Sequence, residues 1–283
     1  MIYISTGGIS DQTGTFSALE FFNKGINAVE LSGGSYSEKI EQELFNLPKE
    51  LSLQIHNYFP PPIEPFVFNL ASKNELIFEK SFKHVCNCIN LASKLGLTKY
   101  SFHGGFRISP EAHQLGGKLG VHELTDKDEA VEIFGDAVHR LSKIAKNKNI
   151  ELLIENNVLT NANLELYGES PLLFCEPGEI STFMNNMPEN VGLLLDFGHI
   201  KVSGLTLGFD PVNAHEKLQT WTRAYHLSDN NGKTDTNKTV TGNSWFWDII
   251  NPKLDYYSLE VYGISVEDLI LQRELVLQKL KLL

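Results

Sequence analysis

The chain is short of cysteine. Of its 283 residues three are cysteines, Cys86, Cys88 and Cys175. No pair has zinc-ribbon or CxxC spacing, and Cys86 and Cys88 would leave a helix on different sides. A disulfide framework is excluded, and the expectation is buried or half-buried thiols in a reducing compartment. Basic residues are scarce too: 24 Lys and Arg stand against 35 Asp and Glu, a formal net charge of -11. A field of that sign repels phosphate backbones, so nucleic acid is not an expected partner. No run of 18 apolar residues offers a membrane span, and the N-terminal MIYIS reads as a strand, not as a charged segment leading into an apolar one. These absences lead us to expect a soluble, cytoplasmic protein without a membrane partner. Two glycine motifs are missing as well. Gly7-Gly8 after the first strand is too little for a dinucleotide fingerprint. Gly116-Gly117-Lys118 is followed by Leu119 and lacks the earlier glycine of a phosphate loop.

What is present is a steady alternation of strand and helix. Short runs rich in Val, Ile, Leu and Tyr at 2–5, 27–31, 52–56, 99–103, 151–155, 192–196, 224–227 and 257–261 read as strands buried on both faces. Between the third and fourth, Phe78, Phe82, Val85, Ile89 and Ala92 make one helical stripe; between the fourth and fifth, Ala130, Phe134, Ala137, Leu141 and Ile144 make another. Pro177 suits the first turn of a helix opened by Glu176, and 266–280 reads as a last amphipathic helix. Weaker helices are expected at 15–23, 37–45 and 211–219, with a short helical turn at 245–250. Eight βα units in a chain of this length predict a single (βα)8 TIM barrel spanning 1–283, with an open doubly wound sheet as the structural alternative. The long loop 104–125 reads as a lid or binding loop.

The chemistry-bearing residues fall at strand ends. His56, His103, Glu155, Asp196, His226 and Glu260 close six consecutive strands, and His199 follows Asp196 by three. Taken singly, each has an ordinary explanation: a hydrogen-bonded core histidine, a glutamate paired with lysine, an aspartate capping a helix. Taken together they share one position in successive units, which in a parallel barrel is a single rim. Charges at the ends of apolar strands are costly to bury alone, and a shared divalent cation would offset that cost. The stretch 223–238, RAYHLSDNNGKTDTNK, adds an oxygen-rich loop directly after His226.

With that pattern the chain resembles the xylose isomerase-like (βα)8 barrels, the superfamily of sugar isomerases and epimerases and of endonuclease IV enzymes. The segment 68–97, beginning Phe-Asn-Leu-Ala-Ser, is similar to the endonuclease IV group, and HLSDNNGKTDTNKTVTGNSWF resembles a superfamily segment that follows the seventh strand. The resemblance implies one divalent metal (Mn²⁺, Mg²⁺, Co²⁺ or Zn²⁺) held by Glu155, Asp196, His226 and Glu260. It also implies Glu155 and Glu260 as catalytic groups that move a proton on an open-chain sugar, sugar phosphate, polyol or keto acid through a metal-stabilised enediolate. His56 and His103 are then a second metal site or substrate ligands. His199, Asp229, Lys233, Asp235, Asn237 and Arg107 are candidate substrate-binding residues. The endonuclease IV alternative, a zinc phosphodiesterase on abasic DNA, needs an Asp-x-His pair for a third zinc. Here that pair is Asp235-Thr236-Asn237, and asparagine is a poor zinc ligand. A non-catalytic polyol-binding barrel is a further alternative. A small sugar-like molecule is the expected partner, and self-association as a homo-oligomer stays open.

Overall fold

The computed structural model describes residues 1–114 and 117–281. Leu115 and Gly116, which fall in the expected lid loop and its Gly-Gly-Lys run, lie outside the described residues, as do the last two residues of the chain.

Eight parallel strands run β1 (Ile2–Ser5), β2 (Ala28–Leu31), β3 (Ser52–Ile55), β4 (Lys99–His103), β5 (Glu151–Glu155), β6 (Val191–Asp196), β7 (Thr222–Leu227) and β8 (Tyr257–Leu259). Their order in the sheet, β3-β2-β1-β8-β7-β6-β5-β4, follows the chain around a circle. The seam between β3 and β4 is closed just past the end of β3, where His56 bridges Ser101 and Asn57 N–H donates to the Ser101 carbonyl at 2.6 Å. The result is a single (βα)8 TIM barrel, as the alternation predicts, and the open doubly wound sheet is set aside. Strands such as VGLLLD of β6 are buried along their whole length, because helices cover one face and the barrel interior the other.

The outer layer comprises α1 (Gly14–Asn23), α2 (Ile40–Phe45), α3 (Glu75–Lys94), α4 (Lys127–Lys146), α5 (Asn161–Tyr167), α6 (Pro177–Met184), α7 (Phe197–Leu207), α8 (Pro211–Leu218) and α9 (Val266–Lys279). Caps set their starts. The Asn74 carboxamide accepts Leu76 and Ile77 N–H groups at the head of α3, and Asp126 does the same for α4. Pro177 occupies the first turn of α6, as expected, with Glu176 as its cap. The alternation did not predict α5 or α7. Helix α7 is buried on most of its surface, so it shows no stripe to detect. The expected helical turn at 245–250 is a run of turns, and no helix lies between β7 and β8 among the described residues.

Two apolar layers result. The larger packs strands against helices. A separate cluster of Leu153, Leu194, Ala224 and Tyr256, with Tyr3 against it, fills the barrel interior. Leu153, Leu194 and Ala224 each stand two residues before Glu155, Asp196 and His226. They therefore point to the same side of their strands and form the floor directly beneath those three side chains. Of the cysteines, Cys88 and Cys175 are buried and Cys86 half-buried, all three as free thiols. No helix among the described residues is long and apolar enough to cross a membrane.

Candidate metal centre

The strand-end residues converge on one buried cluster. Glu155, Asp196, His226 and Glu260 bring one ligand-type atom each to within 4.8 Å of one another. His226 Nδ1 is the common point, lying 3.2 Å from Glu155 Oε1, 3.3 Å from Glu260 Oε2 and 3.9 Å from Asp196 Oδ2. Atoms that each sit about 2.0–2.3 Å from a shared divalent ion stand at most about 4.6 Å apart, so little contraction would be needed. Asp196 Oδ2 is buried without a hydrogen-bond donor among the described residues, and Glu155 Oε2 meets imidazole nitrogens of His56 and His103 at 3.1 and 3.4 Å without hydrogen-bond geometry. Orphaned anionic oxygens are what a cation would satisfy, and three carboxylates with one imidazole suit Mn²⁺, Mg²⁺, Co²⁺ or Zn²⁺ alike. The residues fit a divalent metal.

The charge balance of the protein on its own supports that fit. Burial pushes the Glu155 carboxyl up, but the facing imidazoles of His103, His226 and His56 outweigh it and hold Glu155 well below the usual carboxylate range. Burial likewise opposes ionisation of Glu260, and the charge and hydrogen bond of His226 overcome it, leaving the group at about 2. Asp196 has less help: burial lifts it to about 7 despite the attraction of His199. His226 is disfavoured as a cation by burial, yet Glu30, Glu155 and Glu260 raise it well above its ordinary value. Imidazolium groups thus supply the positive charge that this ring of carboxylates demands.

The other strand-end histidines ring the same carboxylate. His56 Nε2 is 3.1 Å and His103 Nε2 3.4 Å from Glu155 Oε2, while His199 Nδ1 is 3.5 Å from Glu155 Oε1. His56 is oriented by Ser101 Oγ at 2.9 Å from its Nδ1. Burial lowers His103 to about 4, so it stands neutral with a lone pair available. His103, Glu155 and His199 form a second group able to hold a metal, and His56, Glu155 and His226 a third.

The loop after β7 contributes unevenly. Asp235 reaches back to His199, with Oδ2 3.2 Å from Nε2. Lys233 and Asp235 both line the cavity above the centre. Asp229 does not: its Oδ1 accepts Lys201 Nζ at 2.6 Å and its Oδ2 accepts Ser244 Oγ at 2.7 Å, so it pins the loop. Asn237 sits at a left-handed φ of 44°, and its carbonyl accepts the Tyr262 N–H at 3.0 Å, joining the β7 loop to the segment after β8. Arg107 is absent from the lining of that cavity. Only 4% of its side chain is exposed, and its guanidinium is spent on Glu169 and on the Thr125 and Ser170 carbonyls. These contacts fasten the 104–125 loop.

Two participants are absent from the strand-end pattern. Glu30 on β2 is fully buried, with Oε2 3.0 Å from His226 Nε2 and hydrogen-bonded to the Tyr256 hydroxyl. A carboxylate only accepts, so Nε2 carries the proton and Nδ1 is turned to the cluster. Tyr262 donates to Glu260 Oε1 at 2.6 Å and lies flat over Gly7 and Gly8. A Cβ on Gly8 would come within 2.6 Å of the Tyr262 ring, so the Gly7-Gly8 pair serves as a shelf for this tyrosine. Above His103 and His199 opens a cavity of about 590 Å³, bounded by the loops after β3, β4, β5 and β7.

Comparison with known proteins agrees with this fold. A family described as "Xylose isomerase-like TIM barrel" matches residues 17–251. No curated protein sequence matches. Among solved structures, a D-tagatose 3-epimerase-like protein superposes with a TM-score of 0.73 at 19% identity, covering 99% of this chain and 97% of that one. An L-ribulose 3-epimerase gives a TM-score of 0.66 at 16% identity, covering 96% and 86%. A xylose isomerase-like TIM barrel protein from Mycobacterium smegmatis, in complex with magnesium, gives 0.69 at 15% identity, covering 99% and 96%. At these identities the likeness is one of fold.

Proposed function

The chain belongs to the xylose isomerase-like TIM-barrel family, and from that premise we propose that it is a divalent-metal-dependent isomerase or epimerase of a sugar or sugar derivative. One observation carries the reading: Glu155, Asp196, His226 and Glu260 are gathered and buried at the C-terminal rim where barrels of this type do their chemistry. A cation bound there would supply Lewis acidity to a carbonyl and its neighbouring hydroxyl.

The chain's own groups do the rest. Glu155 and Glu260 are both held ionised, so either can accept a proton from the carbon beside a carbonyl. They stand on β5 and at the end of β8, so they approach a shared substrate from different parts of the rim. One takes the proton and the other returns it, to the neighbouring carbon for isomerisation or to the opposite face for epimerisation. His199, its Nδ1 donating to the Asn156 carbonyl at 2.8 Å and its Nε2 paired with Asp235, lends positive charge beside the substrate, and Lys233 is placed to receive an anionic group. The same likeness to sugar epimerases among the solved structures supports a small polyhydroxylated substrate.

The test has two parts. Purified protein is assayed for bound divalent metal, and loaded protein is incubated in deuterium oxide with a panel of ketoses. Metal bound through this cluster and deuterium incorporated next to the carbonyl are the expected results. Metal content unchanged by Glu155→Gln and Asp196→Asn would sink the reading. The three overlapping ligand groups around Glu155 also favour a second reading, a multi-zinc phosphodiesterase. Several zinc ions per chain with cleavage of abasic DNA, weakening steeply with salt, would decide for it.

A further inference from the structure

We propose that the substrate carries an apolar substituent of about aryl size beside its polyhydroxylated part, and that the cavity above the centre is the subsite that takes it. This rests on the sugar isomerase or epimerase reading. The cavity, about 590 Å³, has two unlike parts. His103, His199, Lys233 and Asp235 occupy the part next to the carboxylates. Elsewhere the lining is mostly apolar, through Phe66, Phe68, Phe106, Leu119 and Leu172, with Asn157, Asn161 and Asn163 set among them. A free sugar has hydroxyls on every carbon, and those turned to this wall would lose water and find carbon in its place.

The wall is a built surface. The Asn69 carboxamide accepts Phe106 N–H at 2.9 Å and donates to the Phe106 carbonyl at 2.9 Å, which locks the loop after β4 to the loop after β3. Phe66 N–H donates to the Tyr58 hydroxyl at 2.8 Å. On the far side Asn163 of α5 accepts Leu119 N–H at 3.0 Å and donates to the Gly117 carbonyl at 3.2 Å. Phe66, Phe106 and Leu119 are therefore held by their backbones at the rim of an open space. Close-packed interiors leave few voids larger than a water molecule. A space of this size, lined by aromatic edges and continuous with a polar centre, has the form of a ligand site. It fits an aryl or similarly sized apolar group placed away from the reacting carbons.

The experiment compares a ketose with its terminal O-benzyl ether, using metal-loaded protein, by solvent deuterium incorporation and by calorimetric binding. Burying roughly 100 Å² of apolar surface corresponds to a preference for the ether on the order of 50-fold in kcat/KM. Phe66→Ala and Leu119→Ala, two variants on different walls, should each shrink that preference several-fold while leaving exchange on the free ketose in place. Exchange equal in the two ligands, or faster with the free ketose, overturns the subsite and leaves the isomerase reading standing. If neither ligand exchanges but the ether binds more tightly, and that difference falls in Phe66→Ala, the subsite stands and the proton-transfer reading fails. No exchange and no difference in binding overturns the subsite.

Discussion

Replacing Glu30 by glutamine changes one charge and almost no volume. The carboxylate holds His226 Nε2 at 3.0 Å and also accepts the Tyr256 hydroxyl, so it fixes both the ring's orientation and its tautomer. Its other oxygen, Oε1, has no hydrogen-bond donor among the described residues, so His226 and Tyr256 are the groups through which its charge acts, and the imidazole carries part of it toward Nδ1. An amide can still accept from Nε2, but it withdraws that charge and makes Nδ1 a weaker donor to a cation. Outer-shell partners of this kind are worth about 10–100-fold in metal affinity, or about 1.4–2.8 kcal/mol. Glu30→Leu, which removes the hydrogen bond too and leaves the Tyr256 hydroxyl and Nε2 unpaired, should cost more. Competition against a fluorescent chelator at fixed pH, read for both variants beside the unaltered protein, measures the loss. Glu30→Gln binding metal as tightly as the unaltered protein would refute the reasoning, because the geometry leaves Glu30 no other task at His226.

Three further outcomes are expected. Asp196 stands near pH 7 and His226 is raised well above its ordinary value in the metal-free protein, so a cation must displace a proton from each; apparent affinity should fall by up to about a hundredfold per pH unit below 7, with proton release measurable in weakly buffered solution. His84, buried against Tyr58, Phe66 and Phe68, is lowered by burial to about 4. The unfolded chain therefore binds its proton first, and stability should drop by about 3 kcal/mol as pH falls from above 6.5 to about 4; urea titrations of His84→Gln should show that acid loss reduced, and an unchanged loss would reject the assignment. Arg107→Met strands the Thr125 and Ser170 carbonyls and Glu169, and should lower stability by about 2–3 kcal/mol, read as a shift in urea midpoint.

The barrel and most of its centre were legible because two periodicities coincide. Apolar runs of strand length recur with the spacing of βα units, and the residue closing each run from β3 onward is an acid or a histidine. His56, His103, Glu155, Asp196, His226 and Glu260 could therefore be gathered before any coordinates. Glu30 was not legible. It sits one residue inside the run Ala-Val-Glu-Leu, where an acid reads as an outward position, and its partners His226 and Tyr256 lie about 200 residues away along the chain. Only the barrel register, which pairs Glu30 with Ser5 and Gln54, turns it inward. The contacts of Arg107 and Asp229 were not legible for a related reason. A charge in a rim loop announces its type and not its direction, and both are consumed by tying loops down. Helix α7 was hidden by its burial, since an element without a polar face has no amphipathic signature.

The seam of the barrel carries one more consequence. Neighbouring strands elsewhere share a ladder, but β3 and β4 meet through the backbone of His56 and Asn57 against Ser101. The joint with the fewest main-chain bonds is therefore also the one from which an imidazole of the centre projects. Opening that joint swings His56 away from Glu155. A ligand that engages His56 then acts as a clasp on the cylinder, and the protection of amide hydrogens along β3 and β4 against exchange with solvent becomes a direct gauge of whether the centre is filled.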